Sequence, residues 1–180
     1  VWIKNRGNAA NHMLFDAVRT AGDLLYSNLT SAELAAGSNG HLESFDSDGF
    51  TLGDNSGVGS SNGSSETYVA WCWKESATAG FDIVGYTGTG SAKTESHSLS
   101  AVPHVMIVKN RGAVEGWAVY HHKNTAAPET DALELDSNGA TADDVNRWND
   151  TAPTSSVFTV GSHATTNQSD QAMIAYLFTE

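Results

Sequence analysis

The chain has 180 residues, of which 39% are hydrophobic, so it can bury a core and wholesale disorder is excluded. Its 21 acidic residues outnumber its 9 basic ones, and the net charge of −12 disfavours nucleic-acid binding because phosphate backbones would be repelled. A single cysteine excludes an intrachain disulfide, and no apolar stretch approaches the roughly 20 residues that span a bilayer, so we expect no membrane insertion.

The first half of the chain, taken in order, predicts short strands joined by polar turns. Residues 1–3 form a strand that runs into a Lys-Asn-Arg-Gly turn. Residues 31–36 are the one candidate for a helix. Residues 53–63 are rich in Gly, Ser and Asn, which is typical of turns. Residues 68–73 (YVAWCW) form an apolar strand, in which Cys72 is predicted to be a small buried hydrophobe.

The second half begins with a leader, residues 81–90, and then predicts strands again. Apolar or alternating runs lie at residues 105–108, 117–120 and 133–136. Residues 173–178 are apolar on both faces, which predicts a central strand that is buried on both sides. Short strands with turn signals at this spacing indicate an all-β fold, an antiparallel β-sandwich such as a jelly roll.

The two halves share an internal repeat. Residues 2–6 (WIKNR) match residues 107–111 (IVKNR) at an offset of 105, and residues 68–75 match residues 173–180 at the same offset. Residues 49–53 match 157–161 at an offset of 108, so the middle loops differ in length. Several blocks in the same order indicate two degenerate copies of one strand module.

The repeat divides the chain into residues 1–78 and 79–180. The linker between the copies is short and consists of small residues, so we expect the copies to be closely packed. Two similar sandwiches and one composite sandwich are both compatible with this pattern. The first copy lacks the leader of the second and begins at Val1 on a strand that we expect to be a bare sheet edge. Both features predict that the chain is a piece of a longer array.

The sequence contains no recognisable catalytic residues, and we expect no enzymatic activity and no cofactor. Glu134 and Asp136 place two acids on one face of a strand, but the third carboxylate of the concanavalin-like glucanases is missing. His121 and His122 are adjacent in a strand and point to opposite faces, so they cannot share one metal ion. The turns at residues 46–49 and 54–55 carry oxygen ligands for calcium without forming a complete calcium loop, so we predict no metal site.

The best candidate for a ligand site is Trp148. It lies in a polar loop with Asn146, Asn149 and Asp150, and an aromatic face beside amide and carboxylate groups suits a sugar ring. The alternative is that Trp148 is a buried lid over the end of the sandwich.

Several motifs resemble the tandem modules of structural proteins from tailed bacteriophages, notably marine ones. They are Tyr86-Thr-Gly-Thr-Gly90, Ile107-Val-Lys-Asn-Arg111, Trp117-Ala-Val-Tyr-His121 and Gly49-Phe-Thr-Leu-Gly53. The resemblance covers nearly the whole chain. It implies a concanavalin- or laminin-G-like sandwich on a tail fibre or another virion surface protein, and it carries over no catalytic residues.

The function expected from this resemblance is that of a non-enzymatic virion module, located on the virion surface or extracellularly. It would serve assembly or attachment to host-surface glycans, with other virion subunits as partners and homo-oligomer formation. The alternative is a carbohydrate-binding module of a secreted, polysaccharide-active protein.

Overall fold

The computed structural model describes residues 1–36, 41–53 and 60–179, which form an all-β protein with antiparallel sheets. The chain consists of two compact units, Val1–Cys72 and Trp73–Glu180. The boundary falls a few residues before the one predicted from the repeat at 78. In the described part of the chain, no helix has the length and apolar character needed to cross a membrane.

The first unit contains six short strands. They are β1 (Trp2–Asn5), β2 (Met13–Leu14), β3 (Leu25–Tyr26), β4 (Leu42–Phe45), β5 (Phe50–Leu52) and β6 (Tyr68–Trp71). Four of them form a sheet in the order β3-β2-β1-β6, and β4 pairs with β5. The core of this unit is formed by Ile3, Met13, Phe15, Leu24 and Leu42.

The second unit contains eight strands and two helices of four residues each. The strands are β7 (Phe81–Thr87), β8 (Lys93–Ser96), β9 (Val105–Asn110), β10 (Trp117–His121), β11 (Asp131–Glu134), β12 (Ala142–Asp143), β13 (Val157–Val160) and β14 (Ala172–Phe178); the helices are α1 (Val145–Trp148) and α2 (Ala164–Asn167). A six-stranded sheet has the order β12-β11-β10-β9-β14-β7, and β13 pairs with β8. Its core includes Met106, Val108, Trp148, Phe158 and Ala175.

The register of β1 with β2 and β6 is the same as the register of β9 with β10 and β14. Ile3 lies opposite Met13 and Ala70, and Val108, which is 105 residues further along the chain, lies opposite Ala118 and Ala175. One hydrogen bond outside the strands also recurs at this offset: Arg6 N donates to Thr67 O at 2.7 Å, and Arg111 N donates to Ala172 O at 2.8 Å. The order β3-β2-β1-β6 therefore has the same pairing as β11-β10-β9-β14.

The units differ at the last strand of each. β14 lies between β9 and β7, and five of its seven residues are buried, which confirms the predicted central strand. β6 pairs only with β1 among the described residues, and it ends the four-stranded sheet. The predicted bare edge at the first strand is therefore wrong, because β1 is paired on both sides, with β2 and with β6. Among the described strands, β6 forms one edge of this sheet and β3 the other.

Two further local predictions are also wrong. Residues 31–36 form no helix, because Leu24 and Leu34 exchange two backbone hydrogen bonds of 2.9 Å and hold the segment in an antiparallel bridge. Ala36 N donates to the Asp23 carboxylate at 2.7 Å, which ties down the end of the same segment. Cys72 is exposed rather than buried, since it follows the edge strand β6.

We expect Ala175→Pro in β14 to lower the free energy of unfolding by roughly 3 kcal/mol, because proline removes a ladder hydrogen bond from a buried strand. The matched control is Ala70→Pro, at the corresponding position in β6, whose N–H points away from β1. There we expect less than about 1 kcal/mol, since edge positions tolerate proline. Urea unfolding of both variants measures the difference, and equal losses would contradict this description of the two strands.

Candidate functional site

Trp148 is a core residue. It ends α1, has no exposed surface, and packs edge-on against Tyr120 with ring centroids 6.1 Å apart. Its indole N–H donates to the Asp131 carbonyl at 3.0 Å, so its only polar atom is satisfied inside the unit. A sugar cannot stack on a ring with no exposed face. The prediction of Trp148 as a glycan anchor is therefore wrong, and the alternative of a buried aromatic lid describes it.

The other three predicted site residues are exposed and serve the ends of α1. The Asn146 side chain donates to Asp144, the N-cap residue, at 3.2 Å. Asn149 and Asp150 adopt left-handed backbone angles, with φ of 55° and 46°, and Asn149 N donates to Val145 O at 2.8 Å. Their polar side chains are thus typical of a helix end. They lie close to Trp148 along the chain, but without the stacking surface that would make them a sugar site.

Arg147 is the centre of the charged cluster at this end of the unit. Its guanidinium donates to Asp144 at 3.1 Å, to Thr165 Oγ1 at 2.7 Å and to Glu134 at 3.3 Å. Burial opposes ionisation of Asp144, but the hydrogen bonds from Arg147 and Asn146 lower the pKa of its carboxyl. Burial, assisted by the nearby Arg147 charge, lowers the pKa of His163. These groups hold α1, β11 and the loop before α2 together.

The remaining acids and histidines that the sequence singled out also have structural contacts. Asp136 accepts a hydrogen bond from Trp117 N at 2.8 Å, and Asp46 accepts from Ser44 and Thr51 around the β4–β5 turn. The His121 and His122 rings meet edge to face, with centroids 5.5 Å apart. The described ranges contain no group of three or more ligating side chains that could hold a metal ion. The second half of the calcium candidate, residues 54–55, lies outside the described residues.

The Lys-Asn-Arg-Gly motif occurs twice, in the turns that follow β1 and β9. Lys109 has no exposed surface, and its ammonium donates to the carbonyls of Asn110 at 2.8 Å and Glu115 at 2.9 Å. The Asn110 amide oxygen accepts the N–H groups of the two residues after Arg111, at 3.0 and 3.1 Å.

The first unit repeats this turn. Lys4 donates to Asn5 O at 2.6 Å, and the Asn5 amide oxygen accepts from Gly7 and Asn8 at 2.7 and 3.2 Å. The lysine of the motif thus donates hydrogen bonds to backbone carbonyls of its own turn, which gives it a structural role.

The edge strand β6 exposes apolar residues that the contacts described above do not account for. The sequence of this strand is apolar on both faces, like that of β14, yet Ala70 and Trp71 are both exposed, and Trp71 is 48% exposed. Trp71 touches Trp2 edge-on, with ring centroids 6.3 Å apart. The sequence did not predict this surface, because the apolar pattern of β6 is that of a buried strand.

Comparison with known families places the chain in a family whose role is not defined. A family model described as "Domain of unknown function (DUF7483)" matches residues 1–180. The chain belongs to this family. No curated protein and no solved structure matches the chain.

Within this DUF7483 domain, we expect Trp148→Ala to lower the free energy of unfolding by about 3–5 kcal/mol, because it empties a buried site and leaves the Asp131 carbonyl unpaired. Thermal unfolding measures the loss. Asn149→Ala serves as the control at an exposed neighbouring position, and it should change stability far less. A fully stable Trp148→Ala protein would contradict the buried placement.

Lys109 supplies a pH test of the DUF7483 domain. Burial lowers its pKa from 10.5 to about 8, although Asp136 and Glu115 act in the opposite direction. Between these two values the unfolded chain binds more protons than the folded one, so the contribution of Lys109 to the free energy of unfolding rises with pH. We expect the wild type to gain stability relative to Lys109→Met from pH 8 to 10.5. Parallel pH profiles in urea unfolding would contradict this placement.

Proposed function

We propose that the chain is a non-enzymatic module of a tailed-phage virion surface, such as a tail fibre, and that it acts by assembling with other virion subunits. The observation that carries the proposal is β6, an apolar strand that pairs on one side only among the described residues and has two exposed residues in a row. Proteins normally protect such edges with charges, proline or a covering segment, because an exposed edge pairs with other chains. In a module that assembles with other subunits, such an edge can form the contact between chains.

The proposal includes a duplicated fold. We take the units to be two copies of one jelly-roll or concanavalin-like sandwich, and the shared register of Ile3 with Val108 supports this. In the described residues, β7 lies beside β14 in the second unit, whereas β6 in the first unit has β1 as its one paired strand. Tandem copies of this kind suit an elongated surface structure that presents many weak contacts at once.

The proposal of a non-enzymatic module is supported by the contacts of the acidic and basic side chains. Asp144 caps α1, Asp136 holds the backbone at Trp117, and Lys109 binds backbone carbonyls. Each of these groups has a structural role. The net charge of −12 favours a soluble, exposed particle component.

The direct test is to locate the chain in particles of the phage whose genome encodes it. We expect antibodies against the purified chain to label one structure on purified virions by immunogold electron microscopy. Peptide mass spectrometry of the same particles should give a fixed copy number per virion. Detection only in the medium of uninfected cells, and never on particles, would contradict the proposal and favour a secreted protein.

The second candidate is a carbohydrate-binding module, and the exposed indole of Trp71 is the observation that favours it. If the module binds host or algal glycans, Trp71→Ala should abolish the signal on a glycan array, whereas exposed Val114→Ala should leave it unchanged. Loss of binding in the Trp71 variant would place glycan recognition on β6. Absence of binding by the wild type would remove this candidate.

A further inference from the structure

We propose that Asn138 is a site of spontaneous chemical modification, at which the side-chain amide is lost and an aspartate or isoaspartate remains. The reacting dipeptide is Asn138-Gly139, in the loop between β11 and β12. The exposure of this loop and the hydrogen bonds around it favour the reaction, and both differ at a second dipeptide of the same sequence, Asn62-Gly63. This chemistry does not depend on the proposed virion function and adds a modification site to it.

The reaction needs only the two residues, solvent base and water. The backbone nitrogen of Gly139 gives up its proton and attacks the side-chain carbon Cγ of Asn138. The new N–C bond closes a succinimide ring, and the side-chain nitrogen takes up a proton and leaves as ammonia. Water then opens the ring at either carbonyl, which gives aspartate or isoaspartate. Glycine favours the attack because it has no side chain in the way and adopts backbone angles that other residues avoid.

The loop that contains the dipeptide is tied at both ends and exposed at its tip. Leu135 N donates to Trp117 O at 3.1 Å, and the Thr141 hydroxyl donates to Asn124 at 3.0 Å. Residues 137–140, between these anchors, are exposed and belong to no helix or strand. Water and base therefore reach the dipeptide, and the backbone at the tip can rearrange while β11 and β12 stay in place.

The reacting groups of this dipeptide have few contacts. No described residue forms a hydrogen bond with the Asn138 side chain, so its amide can rotate toward the backbone. Gly139 N donates to Ser137 Oγ at 3.1 Å, and this hydroxyl is exposed, so water can replace it. Within 4 Å, a β-carbon at Gly139 would meet only this hydroxyl among the described residues, at 3.2 Å. The space around the attacking nitrogen is therefore open.

The dipeptide Asn62-Gly63 has the same sequence but is held by its surroundings. Gly63 N donates to the Tyr68 hydroxyl at 2.9 Å. The Asn62 side-chain amide donates to Gly53 O at 3.1 Å. A β-carbon at Gly63 would lie 3.0 Å from both Tyr68 Oη and Ser60 Oγ. Ring closure there requires both hydrogen bonds to break in a crowded space, so we expect this dipeptide to react slowly.

Modification changes the charge and the backbone of the loop tip. It adds one carboxylate to a chain whose net charge is already −12. In the isoaspartate product the main chain passes through the former side chain, which lengthens the loop by one carbon atom. Because the loop is anchored on either side, both changes stay at the tip and the fold is retained. A virion subunit is not replaced after assembly, so under the proposed function modified copies would accumulate as particles age.

Peptide mapping of the full chain after storage in mildly alkaline buffer tests the site. We expect mass spectrometry to show modification at Asn138, with Asn62 slower by about tenfold because one further hydrogen bond must break there. A protein-isoaspartate methyltransferase, which methylates isoaspartate and not aspartate, should label the peptide that contains Asn138. The peptide with residues 39–40, a third Asn-Gly dipeptide that lies outside the described residues, is quantified separately.

Two variants separate the effect of the fold from that of the dipeptide sequence. Gly139→Ala should suppress modification at Asn138, because the added methyl group hinders the attack. Tyr68→Phe removes the acceptor of the Gly63 N–H and should raise the rate at Asn62, while the rate at Asn138 stays unchanged. In urea the two dipeptides should react at similar rates, since the unfolded chain exposes both.

Two outcomes would overturn the proposal. One is an Asn138 that stays intact in the folded chain under conditions that modify it in urea. The other is equal modification of Asn62 and Asn138 in the folded chain. A Tyr68→Phe protein with an unchanged rate at Asn62 would overturn the assignment of the difference to these hydrogen bonds. None of these results bears on the labelling of virions, so the modification site and the virion function can fail separately.

Discussion

The pairing of β14 with β9, and of β6 with β1, determines how the rest of the protein is arranged. β14 pairs with β9, and β6 pairs with β1, although a long stretch of sequence separates the two strands of each pair. Contacts of this kind between distant segments must overcome the entropy of loop closure before they contribute stability. The register that results sets which side chains enter each core. It also turns alternate backbone groups of β6 and β14 away from β1 and β9. In the second unit β7 pairs with these outward groups, and in the first unit no described strand does.

The Lys-Asn-Arg-Gly turn illustrates how a motif that looks functional can be structural. A buried ammonium is unfavourable unless it is well hydrogen-bonded, and Lys109 meets this condition with backbone carbonyls of its own turn. The Asn110 side chain accepts hydrogen bonds from two backbone N–H groups of the same turn. Lys4 and Asn5 repeat the arrangement in the first unit. The shared motif is thus explained by a turn that has to satisfy its own polar groups after a strand.

Burial of the tryptophans differs from site to site. Trp148 and Trp117 are enclosed in the second unit, while Trp71 remains half exposed in the first. Trp71 and Trp117 lie in apolar segments and Trp148 in a polar one, so local composition does not predict which of them is buried; the neighbouring strands and helices decide it. An apolar strand with an unpaired edge can pair with another chain. This makes β6 the most informative surface of the molecule, although its sequence resembles that of a core strand.

The sequence by itself determined the all-β class, the approximate positions of the strands and the correspondence of the strand blocks, because these follow from local alternation and from self-similarity. It also predicted the central strand at residues 173–178, whose apolar pattern on both faces agrees with its burial. Tertiary structure alone decided that Trp148 is buried, that Cys72 is exposed, and that residues 31–36 bridge Leu24 instead of forming a helix. The physical reason is the same in each case. Composition records what a residue prefers, whereas exposure depends on which distant segment lies against it, and for β6 the described chain supplies a neighbour on one side only.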